Sequence, residues 1–179
     1  EWDSLWDLSI KADALYECPH DANGSRLGPL VPYAGKDSQG RNLVGEVYFN
    51  FAMIEQHVAL VARFAELVSL QITVVHELRE ANTIIGIPDG GRTFGQEVAR
   101  VTGKRFVYPS KVEREKAPGA VKAEFDLVFK RAELFQGETV IVTDDVHNNF
   151  NNTDEVLRSI PHGVKVVGLC SALNRSPRI

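Results

Sequence analysis

The sequence has few cysteines and no long apolar run. Its two cysteines, Cys18 and Cys170, lie far apart in the 179 residues and lack the spacing of metal ligands. We expect them to be buried or idle thiols in a reducing compartment. No uninterrupted apolar segment approaches the roughly 20 residues that a membrane helix needs. The first residues are charged, unlike a signal peptide. We therefore expect a cytoplasmic protein with no membrane partner.

An excess of basic residues is also lacking. The chain has 20 Lys and Arg against 24 Asp and Glu, which gives a net charge of -4. This balance argues against nucleic acid as a partner, because such proteins need a basic surface. It still allows a local basic site for a phosphorylated small molecule. The sequence does not start with Met, so we expect a trimmed or partial chain.

The sequence shows no internal repeat and no linker that would divide it. A hydrophobic content of 44% and a charged content of 25% are ordinary for a globular protein. A chain of this length can bury a sizeable core. We therefore predict one domain over residues 1–179.

The order of apolar patterns predicts an α/β fold. Short runs with strand character at 43–51, 83–88, 105–108, 139–142 and 164–170 predict strands. Helical periodicity occurs at 54–68, 93–101 and 154–160, and a short helix is expected within 2–14. Strands that alternate with helices over short connections imply a parallel sheet with right-handed crossovers. Residues 16–41 are expected to be a loop with at most an edge hairpin. For residues 124–135 a strand, a hairpin or a helix all remain open.

The stretch 138–153 carries the clearest functional signal. Its β-branched run, Thr139 to Val142, is typical of a central buried strand. Asp144 and Asp145 follow that run, and an Asn-rich loop then leads to a helix near Thr153. Ligands of open parallel sheets bind beyond the carboxyl ends of the strands, so we expect a ligand here. The alternative is an Asp that caps the helix or ends the strand in solvent.

This stretch resembles the phosphoribosyl pyrophosphate signature of the type I phosphoribosyltransferases, and orotate phosphoribosyltransferase is the most similar member. Four further segments support the resemblance in the right order: Tyr48-Phe49-Asn50-Phe51 before a helix, Gly86 to Gly91, the cations Lys111, Arg114 and Lys116, and Asn174-Arg175. The resemblance covers most of the chain. It implies a central parallel sheet flanked by helices, with a small N-terminal hood at residues 1–50 and an α/β core at residues 51–179.

The resemblance also implies the site. The catalytic residues would be Lys111, Arg114, Lys116, Asp144 and Asp145. Phosphoribosyl pyrophosphate would be bound by Asp89, Gly90, Gly91, Arg92, Asp144, Asp145, Asn148, Asn149, Asn151, Asn152 and Thr153. The base would contact Lys36, Phe49 and Arg175. Asp144 and Asp145 would hold Mg²⁺ indirectly, through the ligand or water. The partners would be phosphoribosyl pyrophosphate, a pyrimidine-like base and a second copy of the chain.

Each of these motifs also has an ordinary structural interpretation. A glycine pair lets backbone N–H groups approach a pyrophosphate, but it also occurs in any tight β–α turn. The segment 111–119 is expected to be mobile and to close over the ligand, or to be only a solvated charged loop. Arg175 offers a bidentate fork to a carboxylate, or is a surface arginine near the chain end.

The chain departs from the family at the phosphate loop. Asn148 to Asn152 stand where the family has Thr and Gly, and Phe150 brings bulk and no hydrogen-bond donor. Asn tolerates a positive φ better than most residues. His147 replaces an apolar residue, and we expect it to be partly exposed.

Two function classes follow: a magnesium-dependent phosphoribosyltransferase of the orotate type, or a non-catalytic protein that binds nucleotide or phosphoribosyl pyrophosphate as a regulator. An unrelated doubly wound enzyme with a metal at the Asp pair would leave the glycine turn and Asn174-Arg175 unexplained.

Overall fold

The computed structural model describes residues 4–113, 125–131, 133–148 and 150–175. The chain divides into two compact units, Glu1–Leu60 and Val61–Ile179. The division falls inside a helix and later than the predicted boundary at residue 50. In the part of the chain that the structure describes, no helix is long and apolar enough to cross a membrane.

The first unit contains short elements. They are α1 (Leu5–Lys11), β1 (Leu15–Glu17), β2 (Val31–Lys36), β3 (Asn42–Gly45), β4 (Val47–Phe49) and α2 (Phe51–Glu55). β1 pairs antiparallel with β4, and β2 pairs antiparallel with β3. The predicted edge hairpin is therefore present as β2–β3. Its turn is stabilised by Asp37, whose Oδ1 accepts hydrogen bonds from the N–H groups of Gln39 and Arg41 at 2.8 and 2.9 Å.

The predicted strand at 43–51 is interrupted, because the side chain of Asn50 caps a helix. Its Oδ1 accepts a hydrogen bond from the N–H of Ala52 at 3.2 Å, and α2 begins at Phe51. A capping Asn satisfies an N–H group that lacks a partner within the helix. Strand β4 therefore ends at Phe49, one residue before the capping Asn50.

The second unit is an α/β layer structure. α3 (Val58–Val74) enters it from the first unit and is followed by α4 (His76–Arg79), β5 (Thr83–Gly86), α5 (Gly90–Thr102) and β6 (Arg105–Val107). The remaining elements are β7 (Ser110–Glu113), β8 (Phe125–Val128), β9 (Thr139–His147), α6 (Asn151–Ser159) and β10 (Lys165–Asn174). Gly103 ends α5 in a left-handed conformation, with φ of 67°, which is typical of a glycine at the C-terminus of a helix.

The central sheet has the order β10-β9-β5-β6, and all three of its strand pairs are parallel. The predicted α/β fold with a parallel sheet flanked by helices is confirmed. β9 lies between two strands, and its residues Val140, Ile141 and Val142 have no exposed surface. Val140 and Val142 pack with Ile85, Val107 and Val156 in one hydrophobic cluster. This arrangement brings the carboxyl ends of β5, β6 and β9 to the same edge, which we call the carboxyl edge.

Two elements differ from the sequence prediction. β9 continues past the apolar run to His147, because β10 pairs with it as far as His147 opposite Asn174. Lys111 and its neighbours form β7, which pairs antiparallel with β8 from Ser110 opposite Val128 to Glu113 opposite Phe125. The prediction of a mobile loop is therefore wrong for residues 111–113. Its remainder, with Arg114 and Lys116, lies outside the described residues.

Candidate functional site

An acidic pair lies within β9, near its carboxyl end. Asp144 is buried, with 7% of its surface exposed, whereas Asp145 is partly exposed. The backbone N–H of Asp145 donates a hydrogen bond to Oδ1 of Asp144 at 3.0 Å. The strand pairing and this hydrogen bond hold the two carboxyl groups in one place at the carboxyl edge.

The two carboxyl groups are in different environments. Burial, a side-chain hydrogen bond with Asp145 and the charge of Asp145 together raise the pKa of Asp144 to about 8, although the backbone hydrogen bond from Asp145 opposes this shift. At neutral pH the favoured form of Asp144 is therefore the protonated one. One carboxyl group can then donate a hydrogen bond while its neighbour accepts one.

The glycine turn after β5 packs directly on the acidic pair. A Cβ atom at Gly90 would lie 2.5 Å from Oδ2 of Asp145, and one at Gly91 would lie 2.8 Å from the carbonyl oxygen of Thr143. The contact at Gly91 is with backbone and is too close for any other residue type, whereas the contact at Gly90 is with the end of a side chain that can shift. The peptide bond between Pro88 and Asp89 is cis. Gly91 is required by the approach of this turn to β9.

Hydrogen bonds connect the same turn to β9. The N–H of Ile87 donates to the carbonyl oxygen of Thr143 at 2.9 Å, and the hydroxyl of Thr143 donates to the carbonyl oxygen of Ile85 at 3.1 Å. Helix α5 then starts at Gly90, three residues earlier than predicted. Its first turn places backbone N–H groups and the positive end of the helix dipole at the carboxyl edge, which favours an anion.

Two of the cationic residues that were predicted to bind the ligand lie at the glycine turn. Nζ of Lys111 lies 3.5 Å from Oδ2 of Asp89, so the structure brings β7 to the glycine turn. Arg92 is in the first turn of α5, and its guanidinium lies over the ring of Tyr108, with Cζ 4.2 Å from the ring centroid. Both cations are exposed and available to a ligand.

The loop after β9 is shaped by two aromatic rings. Phe150 adopts a left-handed conformation with φ of 62°, and its carbonyl oxygen accepts a hydrogen bond from the N–H of Asp154 at 2.8 Å. The rings of Phe150 and His147 lie 4.7 Å apart between centroids. α6 begins at Asn151, followed by Asn152. Asn149 lies outside the described residues, and the side chain of Asn151 is not described.

His147 and Thr153 are buried polar residues beside this loop. His147 has 4% of its surface exposed, so the expectation of a partly exposed residue is wrong. Burial lowers its pKa, and the charge of Asp145 opposes that shift. Within the described residues, Nε2 of His147 and Oγ1 of Thr153 have no hydrogen-bond partner. Such atoms carry a cost unless a water molecule or a ligand satisfies them.

Arg175 lies next to the Asn-rich loop that follows β9. Its Nε donates a hydrogen bond to Oδ1 of Asn148 at 2.8 Å, and its backbone N–H donates to the carbonyl oxygen of His147 at 2.8 Å. The structure therefore brings Asn148 and Arg175 together. The pairing of β10 with β9 up to His147 is the reason for this proximity.

The other two base-site candidates belong to the first unit. Lys36 is the exposed last residue of β2. Phe49 is the last residue of β4 and is buried, with its ring 6.3 Å from that of Phe51. The contact of either residue with a base stays a prediction.

Metal ligands are sparse in the second unit. Among the described residues, no group of three or more His, Cys, Asp and Glu side chains could hold a metal ion. The acidic pair alone supplies one or two carboxylates. This number suits Mg²⁺ that keeps several waters and binds substrate phosphates, and it does not suit a cage made only of protein ligands.

Sequence reasoning missed three side chains at the carboxyl edge. Thr143 binds the glycine turn, and Tyr108 and Arg131 bind each other, with Nη1 of Arg131 donating to the hydroxyl of Tyr108 at 3.2 Å. Tyr108 directly follows strand β6, and this position indicates a residue at the carboxyl edge. No sequence pattern identifies Arg131, because it lies in a segment whose secondary structure was left open.

No protein-family model matches the sequence, and no curated protein matches it. Solved structures do match the fold. Two of them share 96% of this chain: UMP synthase from Leishmania donovani, with a TM-score of 0.60 and 11% identity, and orotate phosphoribosyltransferase from Aeropyrum pernix, with a TM-score of 0.59 and 16% identity. The match covers 36% of the UMP synthase chain and 94% of the Aeropyrum chain.

Adenine phosphoribosyltransferase from Leishmania donovani is similar to a comparable degree. Its TM-score is 0.57 at 15% identity, over 96% of this chain and 68% of that chain. The solved structures named for orotate and for adenine thus match this chain with similar TM-scores and similar identities. At such low identity the likeness concerns the fold and leaves the choice of base open.

Proposed function

We propose that this chain, which has the type I phosphoribosyltransferase fold, transfers the phosphoribosyl group of phosphoribosyl pyrophosphate to a base and releases pyrophosphate. The observation that carries this proposal is the packing of Gly90 and Gly91 on Asp144 and Asp145, with Lys111 beside the same turn. A turn suited to a diphosphate and an acidic pair suited to a sugar are adjacent at one sheet edge.

The three parts of the substrate each have a matching element. The diphosphate would bind the N–H groups of the turn from Asp89 to Arg92 and the positive end of α5. The ribose hydroxyls would bind Asp144 and Asp145, one carboxyl donating and one accepting. The 5-phosphate would bind the start of α6, at Asn148, Asn149, Asn151, Asn152 and Thr153. The buried Oγ1 of Thr153 supports this placement, because it lacks a partner among the described residues.

The protein would catalyse the reaction by positioning and by charge. A ring nitrogen of the base displaces pyrophosphate at the anomeric carbon, and positive charge develops on the sugar while the bond breaks. Asp145 stabilises that charge, and Lys111, with Arg114 and Lys116, stabilises the negative charge of the leaving group. No covalent intermediate with the protein is needed.

Magnesium fits this site as an ion bound mainly by the substrate. Asp144 and Asp145 would hold it through the ligand or water, in agreement with the absence of a larger ligand group among the described residues. When bound, it supplies charge neutralisation at the diphosphate.

We propose an orotate-type pyrimidine as the base and Arg175 as its carboxylate contact, together with Lys36 and Phe49. The guanidinium of Arg175 next to Asn148 supports this choice, because it places a fork-shaped donor beside the phosphoribosyl site. The organisation as one domain over residues 1–179 and the assembly as a homodimer are part of the same proposal.

Release of pyrophosphate tests the activity. The purified chain is incubated with phosphoribosyl pyrophosphate and magnesium, with orotate, uracil, adenine or no base. We expect release with orotate above the level without base, and loss of that release in Arg175→Ala. Release with adenine alone would retain the transferase and overturn the orotate assignment.

Titration calorimetry tests the site. We expect magnesium phosphoribosyl pyrophosphate to bind the wild type, and Asp145→Asn to bind it about tenfold more weakly, since one charge-assisted hydrogen bond is lost. Asp13→Asn, at an exposed position that is no part of the proposed site, is the matched control with the same change in charge. Equal affinity in the wild type and Asp145→Asn would exclude the acidic pair as the ribose site.

Phe150 favours a second candidate, a protein that binds the same ligand without turnover. A bulky ring occupies a loop that is expected to cradle a phosphate, and displaced donors typically lower rates by roughly 100- to 1000-fold each. Binding in the calorimeter without pyrophosphate release for any base would support this regulator.

A further inference from the structure

Tyr108 is the centre of a cationic cluster that the proposed reaction has not used. The guanidinium of Arg92 lies over its ring, with Cζ 4.2 Å from the centroid, and Nη1 of Arg131 donates to its hydroxyl at 3.2 Å. We call Tyr108, Arg92 and Arg131 the tyrosine cluster. Both guanidinium groups are exposed.

The two arginines differ from most others in their partners. Within the described residues, neither Arg92 nor Arg131 has an ion pair with a carboxylate. Six other arginines do have one: Arg26, Arg41, Arg63, Arg79, Arg100 and Arg105. A tyrosine orients a guanidinium through its ring face or its hydroxyl without neutralising the charge. The tyrosine cluster therefore presents two oriented positive charges to solvent.

The tyrosine cluster lies at the carboxyl edge. Arg92 belongs to the glycine turn and the first turn of α5, and Tyr108 follows the carboxyl end of β6. Arg131 comes just after β8, at the open end of the β7–β8 hairpin that also carries Lys111. Three separate segments thus bring cations to the side of the glycine turn.

The charges act on one another within this cluster. The hydrogen bond from Arg131 lowers the pKa of the Tyr108 hydroxyl, and the charges of Arg131 and Arg92 lower this pKa further. Two positive groups are held near one phenol although they repel each other. An anion placed between them would relieve that repulsion.

We propose that Arg131, oriented by Tyr108, extends the diphosphate site of the glycine turn and Arg92 and binds the pyrophosphate end of the substrate. This inference rests on the proposed function. Two guanidinium groups offer several N–H donors each, in the planar geometry that matches phosphate oxygens. A diphosphate carries enough charge and enough acceptor oxygens to engage both arginines and the N–H groups of the turn. Arg131 would bind the ligand, and Tyr108 would be a positioning residue.

Titration calorimetry on the full chain tests the proposal with two probes. One is inorganic pyrophosphate with magnesium, and the other is ribose 5-phosphate, which lacks the diphosphate. Arg131→Gln is expected to bind pyrophosphate about tenfold more weakly, which is the loss of a charge-assisted contact. Its affinity for ribose 5-phosphate is expected to stay within about twofold of the wild type. Arg158→Gln, which removes the same charge from the exposed last turn of α6, is the control and should change neither affinity.

Tyr108→Phe separates positioning from binding. It keeps the ring beneath Arg92 and removes the hydroxyl that orients Arg131, so we expect about threefold weaker pyrophosphate binding and unchanged ribose 5-phosphate binding. A purely structural role of Tyr108 would weaken both ligands together, and this result would overturn the proposal for Tyr108.

The outcomes distinguish this inference from the proposed function. If Arg131→Gln binds both probes and keeps the wild-type affinity for pyrophosphate, the proposed role of the tyrosine cluster is wrong. The proposed transferase activity is not affected by that result. Equal weakening of both probes would also overturn the cluster. If the wild-type chain binds neither probe, the proposed function fails and the inference fails with it.

Discussion

At the scale of single residues, Phe150 combines an unfavourable backbone conformation with a favourable side-chain contact. Its φ of 62° is costly for a residue with a Cβ atom, by roughly 1–2 kcal/mol. Its ring contact with His147, at 4.7 Å between centroids, offsets part of that cost, since such pairs contribute about 0.5–1.5 kcal/mol. The loop therefore keeps its left-handed residue without a glycine.

A pair of substitutions at Phe150 separates the two effects. Phe150→Ala and Phe150→Gly both remove the ring, but only Gly accepts the positive φ without strain. We expect Phe150→Gly to be more stable than Phe150→Ala by about 1 kcal/mol, measured by urea unfolding. Equal stabilities of the two variants would show that the loop relaxes to another backbone conformation when the ring is absent.

Asp144 gives the protein a pH-dependent stability. Burial raises its pKa to about 8, so the folded chain keeps a proton that the unfolded chain has already released. Folding stability therefore falls as the pH rises through the interval below about pH 8, by at most about 1.4 kcal/mol per pH unit. An interval from about pH 7 upward avoids most of the histidine titration.

Asp144→Asn removes this proton linkage. We expect the free energy of unfolding in urea, measured with a chelator present, to decline between about pH 7 and pH 8 in the wild type and to decline less in Asp144→Asn. Identical slopes in the two proteins would contradict a protonated Asp144 in the folded state.

At the scale of elements, the contact between the glycine turn and β9 positions the site. A Cβ atom at Gly91 would lie 2.8 Å from the carbonyl oxygen of Thr143 and 3.0 Å from Cα of Asp144. Both atoms belong to the backbone of a central strand and cannot move aside cheaply. The start of α5 therefore approaches the acidic pair only because a glycine is present.

Gly91→Ala is expected to destabilise the protein by about 1–3 kcal/mol, the usual cost of overpacking, and to weaken pyrophosphate binding. Gly103→Ala is the control at the other end of the same helix. A Cβ atom there would meet open space, and the substitution introduces only the backbone strain of a φ of 67°. Urea unfolding and calorimetry on both variants check this expectation. Unchanged pyrophosphate affinity in Gly91→Ala would separate the turn from the ligand site.

The β7–β8 hairpin shows how an element can be hidden in a charged sequence. The alternation of Phe125 and Leu127 allows a strand, a hairpin or a helix, and the segment from Lys111 onward predicts a loop because it is charged and shows no period. Pairing with β8 makes a strand of that segment. As a result Lys111 reaches Asp89 from a hairpin arm, with 3.5 Å between Nζ and Oδ2.

At the scale of the whole molecule, the net charge of -4 contrasts with the cations at the carboxyl edge. The overall charge gives no attraction for an anionic substrate, so the attraction must be local, from Arg92, Lys111 and Arg131. Such a local field is screened by salt over about 10 Å at 0.1 M ionic strength.

The assembly is predicted to be a homodimer. The chain has a mass of 19.8 kDa, and we expect sedimentation equilibrium to give twice this value at micromolar concentration. Exposed apolar side chains on α3, such as Leu70 and Val74 with 60% and 73% of their surface exposed, would favour association. A mass of 19.8 kDa across the concentration range would refute the dimer.

The sequence by itself determined the order of the four central-sheet strands and of α3, α5 and α6, the position of the acidic pair directly after the apolar run of β9, and the glycine turn. These features depend on local properties: β-branched runs, helical periodicity and the conformational freedom of glycine. The resemblance to the type I phosphoribosyltransferases rested on the same local segments, and the fold confirms it.

Only the tertiary structure decided the extension of β9 to His147, the burial of that histidine and the meeting of Arg131 with Tyr108. Each of these requires a contact between segments far apart in the chain, such as the pairing of His147 with Asn174. Strand pairing and burial depend on which distant neighbours cover a residue, and no local pattern encodes those neighbours. For the same reason, the raised pKa of Asp144 could not be derived before its burial was known.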